Sequence, residues 1–110
     1  MSLQLIEPGS RAPAFHLPDQ RGVRRRLSEF TGRTVILYFY PKDDTSSCTI
    51  EAQEFRDAAA DFRRARAVVI GISPDSVDSH CRFADKHRLT FMLLADVPDE
   101  RGTPKTCNRY

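Results

Sequence analysis

The sequence predicts an α/β fold in which helices cross over a parallel sheet. Three observations predict it. Residues 34–40, 67–72 and 91–95 are short, nearly unbroken apolar runs of strand length, the pattern of strands covered on both faces. Residues 46–64, between the first two runs, repeat apolar side chains at helical spacing, and residues 76–88 make a second helical stretch. Strand, helix, strand, helix, strand in that order calls for crossover connections on one sheet.

Taken in order, residues 14–18 and 23–27 flank Asp19-Gln20-Arg21-Gly22, a stretch with turn chemistry, so a hairpin or an extended excursion is expected there. Residues 34–40 (Thr-Val-Ile-Leu-Tyr-Phe-Tyr) read as a central strand, ended by Pro41. In 46–64, Cys48, Ala52, Phe55, Ala59 and Phe62 line one helix face. Glu51, Glu54 and Asp57 come early and Arg63, Arg64 and Arg66 late, which suits the helix macrodipole. Residues 67–72 form the second buried strand. Ser73-Pro74-Asp75 then offers a capping residue and a proline near the first helical position of 76–88. After the third strand, residues 97–110 show no apolar period and read as an irregular tail, leaving one domain over 1–96.

At 110 residues, with about a quarter of them Leu, Ile, Val or Phe, the chain has enough apolar material for one core. No run approaches the roughly 18 apolar residues of a membrane span, and Glu7-Pro8-Gly9 interrupts the start before a signal peptide's apolar stretch can form. Charge is uneven: net +3 over 1–40, −4 over 41–100 and +3 over the last ten residues. The densest basic cluster, Arg21 with Arg24 to Arg26, has no interleaved aromatic residue, so a nucleic-acid partner is not expected. Cys48, Cys81 and Cys107 are too few for a disulfide scaffold, which points to a reducing, cytoplasmic compartment. His16, His80 and His87 lack the paired short spacing of zinc ligands, so no metal is expected. There is no Cys-x-x-Cys and no Gly-rich phosphate loop, and no cofactor is expected.

Cys48 carries the chemistry. It falls just after a strand, in the first turn of a helix, with Thr45 as the expected cap. Unpaired N–H groups and the positive helix end converge on that turn, a setting that favours a thiolate. The carboxyl end of a parallel strand is also where open α/β sheets bind ligands. The alternative is a small core residue sharing a face with Phe55 and Phe62.

Pro41-Lys42-Asp43-Asp44-Thr45-Ser46-Ser47-Cys48 resembles the Pro-x-x-x-Thr-x-x-Cys motif of peroxiredoxins. Tyr38-Phe39-Tyr40 before it, together with Glu51-Ala52, Phe55-Arg56-Asp57, Gly71-Ile72-Ser73-Pro74-Asp75-Ser76 and Pro13-Ala14-Phe15-His16-Leu17-Pro18-Asp19, is similar to the bacterioferritin-comigratory-protein, or peroxiredoxin Q, branch. The resemblance implies a thioredoxin-like fold and a thiol-dependent peroxidase for hydrogen peroxide and alkyl hydroperoxides, recycled by thioredoxin or another thiol. It implies Cys48 as the peroxidatic cysteine, Thr45 as a hydrogen-bonding partner of the sulfur or the peroxide, and Pro41 as a shield against water.

Two departures from the family pattern shape the expectations. Where many members carry a resolving cysteine five residues after the peroxidatic one, this chain has Gln53, and Cys81 on the following helix is the resolving candidate, with a one-cysteine enzyme as the alternative. Cys107 matches nothing in the family. After Asp96 the family continues with two strands, a helix and an active-site arginine; that role is transferred to neither Arg101 nor Arg109. The domain is therefore expected to be truncated on its C-terminal side. A redox-responsive thiol protein, or a fragment that self-associates through an uncovered sheet edge, stands beside the peroxidase reading.

Overall fold

The computed structural model describes residues 6–98, 106, 109 and 110. Strands β1 (His16–Pro18) and β2 (Arg24–Arg26) form the expected hairpin. Asp19 sets its turn: one carboxylate oxygen accepts from the amides of Arg21 and Val23 at 2.9 and 3.1 Å, and the other from Arg25 Nε at 3.0 Å. Gly22 supplies the positive φ of 79° that the turn requires.

The second sheet holds β3 (Thr34–Phe39), β4 (Ala67–Ser73) and β5 (Met92–Ala95), all parallel, in the spatial order β3-β4-β5. The central place belongs to β4, not to β3 as the apolar run suggested: six of the seven β4 residues are buried, whereas β3 is half-buried and exposed at its ends. Apolarity alone does not distinguish a strand with neighbours on both edges from one with a single neighbour. Among the described residues, β3 pairs with β4 alone.

Helices α1 (Ser46–Asp57) and α2 (Ala59–Arg64) connect β3 to β4, and α3 (Val77–His87) connects β4 to β5. The single helix expected over 46–64 is broken at Ala58, which takes φ −90° and ψ 10°. Three consecutive alanines there put no bulky side chain in the way of the bend, and the bend keeps the Phe62 ring 6.0 Å from that of Phe55. The α3 cap is Ser76, whose Oγ accepts from the Ser79 amide at 3.1 Å; Ser73 instead ends β4. Arg88 closes α3 in the left-handed region.

Alternation along the strands divides the core between two faces. Ile70, Ile72 and Leu94 pack with Phe15 and Phe30 from the N-terminal segment. Tyr40 and Leu93 pack with Cys48 and Ala52 of α1 and with Phe83 and Ala84 of α3. Helices α1 and α3, from the two crossovers, thus share one side of the sheet, as same-handed crossovers in a steadily advancing strand order must. Gly71 marks the tightest approach on that side: a Cβ there would lie 2.9 Å from Cζ and Oη of Tyr38 and 3.0 Å from Leu93 Cδ2. Tyr38 cannot give way, being stacked between Tyr40 and Phe55 at 5.5 and 4.7 Å. Gly71→Ala is expected to cost about 1–3 kcal/mol in urea unfolding; an unchanged midpoint would show the ring to be loosely held.

The segment read as an irregular tail is partly packed. Thr106 is buried and donates its amide to Asp96 Oδ1 at 3.1 Å, and the Tyr110 ring sits 5.3 Å from Phe39. Cys107 lies outside the described residues.

Candidate active site

The loop from Pro41 to Thr45 joins β3 to α1 and places Cys48 in the first turn of that helix. Cys48 is 8% exposed, within the cluster of Tyr40, Ala52 and Phe83. The first intrahelical bond runs from the Thr49 amide to the Thr45 carbonyl at 2.8 Å, so the amides of Ser46, Ser47 and Cys48 precede the helical ladder. Thr45 holds the capping position, but its hydroxyl does not cap: Oγ1 donates to the Lys42 carbonyl at 3.2 Å. Pro41 is exposed and, with Phe39, Tyr40, Ile72, Ser73, Pro74 and Asp96, lines a cavity of about 310 Å³ at the carboxyl ends of β3 and β4. Cys48 does not line that cavity; Tyr40 belongs both to its wall and to the cluster around the thiol.

Cys81 stands apart, exposed on the outer side of α3 with Sγ 3.9 Å from Asp85 Oδ2. The α3 residues packed with Cys48 are Phe83 and Ala84. Gln53 faces α3 as well: its Nε2 lies 3.4 Å from His87 Nδ1, while Arg56 Nη1 donates to the His87 carbonyl at 2.7 Å.

Two residues that sequence reading passed over organise the loop. Asp43 is buried, and its Oδ1 accepts from Tyr40 Oη at 2.6 Å. Its Oδ2 accepts from Ser79 Oγ at 2.8 Å and faces His80 Nδ1 at 2.7 Å. Burial by itself would raise the Asp43 carboxyl, but the hydrogen bonds from His80, Tyr40 and Ser79 and the attraction of His80 outweigh it and hold the group below the usual carboxylate range. The Tyr40 hydroxyl is pushed strongly upward by burial and by its bond to Asp43. Tyr38 is likewise raised, chiefly by burial and next by the charge of Glu51, and its buried hydroxyl has no hydrogen-bond partner. Asp44 adopts φ 62°, a left-handed conformation that Asp tolerates, and is bound by Lys86 Nζ at 2.7 Å and His87 Nε2 at 3.0 Å. These two bonds hold its exposed carboxyl below the usual range.

Asp43, Asp75 and His80 bring potential metal-ligand atoms within 4.8 Å of one another. Those atoms are committed elsewhere: Asp75 Oδ2 accepts from the Asp43 amide and from Ser73 Oγ, both at 2.7 Å, and His80 Nε2 faces the Leu94 carbonyl at 2.9 Å. The only sequence hint of this network was a histidine one residue before Cys81 and an aspartate inside the cysteine motif.

A buried cysteine at a helix start beside a parallel strand, preceded by a braced loop, is the arrangement of a thioredoxin-like fold. Residues 8–103 match the AhpC/TSA family, and the chain belongs to that family, on its peroxiredoxin Bcp and peroxiredoxin Q branch. It is 47% identical to peroxiredoxin Bcp of Bacillus subtilis over 91 residues, 83% of this chain and 58% of that protein. It is 50% identical to a putative peroxiredoxin bcp of Coxiella burnetii over 109 residues, 96% of this chain and 72% of that protein. Among solved structures, peroxidoxin BcpB of Mycobacterium tuberculosis superposes with a TM-score of 0.77 at 44% identity, covering 80% of this chain and 58% of that one. The bacterioferritin comigratory protein of Xanthomonas campestris gives 0.79 at 33% identity, covering 86% and 57%. The chain thus spans a little over half the length of the Bacillus subtilis protein. No helix among the described residues is long and apolar enough to cross a membrane.

Proposed function

We propose that the chain acts as a thiol-dependent peroxidase on hydrogen peroxide and alkyl hydroperoxides in a reducing, cytoplasmic setting. The observation that carries this reading is the placement of Cys48 in the first turn of α1, behind the braced Pro41–Thr45 loop. The thiolate sulfur attacks the terminal peroxide oxygen, an S–O bond forms as the O–O bond breaks, and the departing alkoxide takes a proton. Cys48 is left as a sulfenic acid, which a thiol reductant, thioredoxin or another, returns to the thiol through a disulfide. The free amides at the helix start suit both the thiolate and the developing oxyanion. In this reading Thr45 Oγ1, which donates to the Lys42 carbonyl at 3.2 Å, is the hydrogen-bonding partner of sulfur or peroxide, and Pro41 screens the loop from water. The apolar cavity beside Pro41 suits the organic part of an alkyl hydroperoxide, and the Xanthomonas campestris relative is described by its alkyl peroxide reduction activity.

Cys81 is the resolving candidate. Both thiols are on helices of the same sheet face, but a disulfide needs Cα atoms within about 7 Å, and Cys48 is buried whereas Cys81 points outward. The first turn of α1 must therefore open. Trapping with a sulfenic-acid reagent at substoichiometric peroxide is expected to label Cys48 first, and non-reduced digests to yield a Cys48–Cys81 disulfide. First labelling of Cys81 or Cys107 sinks the assignment of Cys48. Cys48 found only as a mixed disulfide with external thiol, with Cys81 free, makes this a one-cysteine enzyme. The unpaired edge of β3 among the described residues also supports self-association, which light scattering across a dilution series measures.

A further inference from the structure

We propose that Asp43 and His80 are positioning residues for the peroxide reaction: a buried pair sharing one proton that, with Tyr40 and Ser79, clamps the Pro41–Thr45 loop, and with it the start of α1, onto α3 and β5. This rests on the reading of Cys48 as the peroxide-reacting thiol.

The protonation pattern follows from the partners. The Leu94 carbonyl, 2.9 Å from His80 Nε2, only accepts, so Nε2 carries hydrogen. His80 Nδ1 and Asp43 Oδ2 lie 2.7 Å apart, a distance that demands a hydrogen between them. The imidazole thus bridges the loop to the β5 backbone, with side chains 0% and 4% exposed on the two partners. Asp43 is held by its main chain too, through the amide bonded to Asp75 Oδ2 at 2.7 Å. The next residue, Asp44, is pinned to the far end of the same helix by Lys86 and His87. Thr45 follows at once and Cys48 three residues later, so the loop has no slack between its anchors and the helix start.

A buried ionic pair is weak evidence of stability, because an apolar replacement of similar shape often does as well. What it supplies is one geometry. The two oxygens of Asp43 are matched to donors from two places: Oδ1 to Tyr40 just past β3, and Oδ2 to Ser79 and His80 on α3. Shifting the loop by an ångström breaks several of these bonds together. Peroxide attack needs the sulfur, the helix amides and Thr45 aligned to within such distances.

The test compares Asp43→Ala, Asp43→Asn and Tyr40→Phe in the full chain, each below its own melting temperature. Two rates are read at Cys48: reaction with hydrogen peroxide by stopped flow, and alkylation by iodoacetamide. Asp43→Ala is expected to slow the peroxide reaction about tenfold or more while alkylation stays equal or rises as the loop loosens. Asp43→Asn is expected to recover to within about threefold of the parent, since the amide oxygen accepts from Tyr40 and its N–H reaches Nδ1. A folded Asp43→Ala variant with parental rates overturns the proposal, as does an Asp43→Asn variant no better than Asp43→Ala. Should Asp43→Ala not fold, Tyr40→Phe, which removes one bond, is expected to slow the peroxide reaction without slowing alkylation; parental rates there overturn the proposal. If parental Cys48 reacts with peroxide no faster than free cysteine, the peroxidase reading fails and the positioning role falls with it; a fast parental reaction that Asp43→Ala leaves unslowed overturns the positioning role alone.

Discussion

Cys48→Ser is expected to abolish thiol-dependent peroxide consumption, lowering the rate by about a thousandfold or more. The serine hydroxyl stays protonated at neutral pH, and the reaction has no covalent route without sulfur. The fold is expected to survive, because the substitution replaces sulfur with a smaller atom in a cluster otherwise supplied by Tyr40, Ala52, Phe83 and Leu93. Coupled consumption of reductant measures the rate, and circular dichroism checks the fold. A folded variant with more than about a tenth of the parental rate would move the chemistry away from Cys48.

The second large effect is on stability. His80→Leu is expected to cost about 3–5 kcal/mol in urea unfolding, because it leaves the Asp43 carboxylate buried without its partner. Adding Asp43→Asn to that variant is expected to restore part of the loss, since an amide is cheaper to bury than a charge. The pH dependence follows from the direction of the Asp43 shift. Its folded value is depressed, so the pair's contribution is fully present above the unfolded carboxylate value of about 4 and is lost as pH falls through the lower folded value. Parental stability should therefore drop below about pH 4, and Asp43→Asn should flatten that drop. An equal slope in both proteins would assign the acid sensitivity to other carboxylates.

Local patterns were legible where they are self-contained. Asp19 to Gly22 sets its own turn, residues 67–72 are apolar enough to read as a buried strand, and Cys48 falls in the first turn of a helix as its position after Pro41 and Thr45 indicates. Features that depend on distant neighbours were not. The outer place of β3 among the described residues depends on which strand pairs with it, and residues 34–40 read the same with one neighbour or two. The helix break at Ala58 leaves no proline or glycine to announce it. Thr45 looks like a cap by type and spacing, yet its hydroxyl turns to Lys42. Asp43 and His80 are 37 positions apart, and nothing in either neighbourhood announces the other.

Gln20 ties the beginning of the chain to its last described strand: its Nε2 donates to the Phe91 carbonyl at 3.1 Å and its Oε1 accepts from the Leu93 amide at 3.0 Å. One side chain thereby imitates a neighbouring strand across a separation of up to 73 residues. During synthesis the hairpin emerges first and must wait for β5 before these bonds exist, so its docking is a late event in folding. The Leu93 amide then becomes a reporter for that event: its hydrogen exchange should track hairpin release, and Gln20→Ala should speed it while leaving amides in the middle of β4 slow.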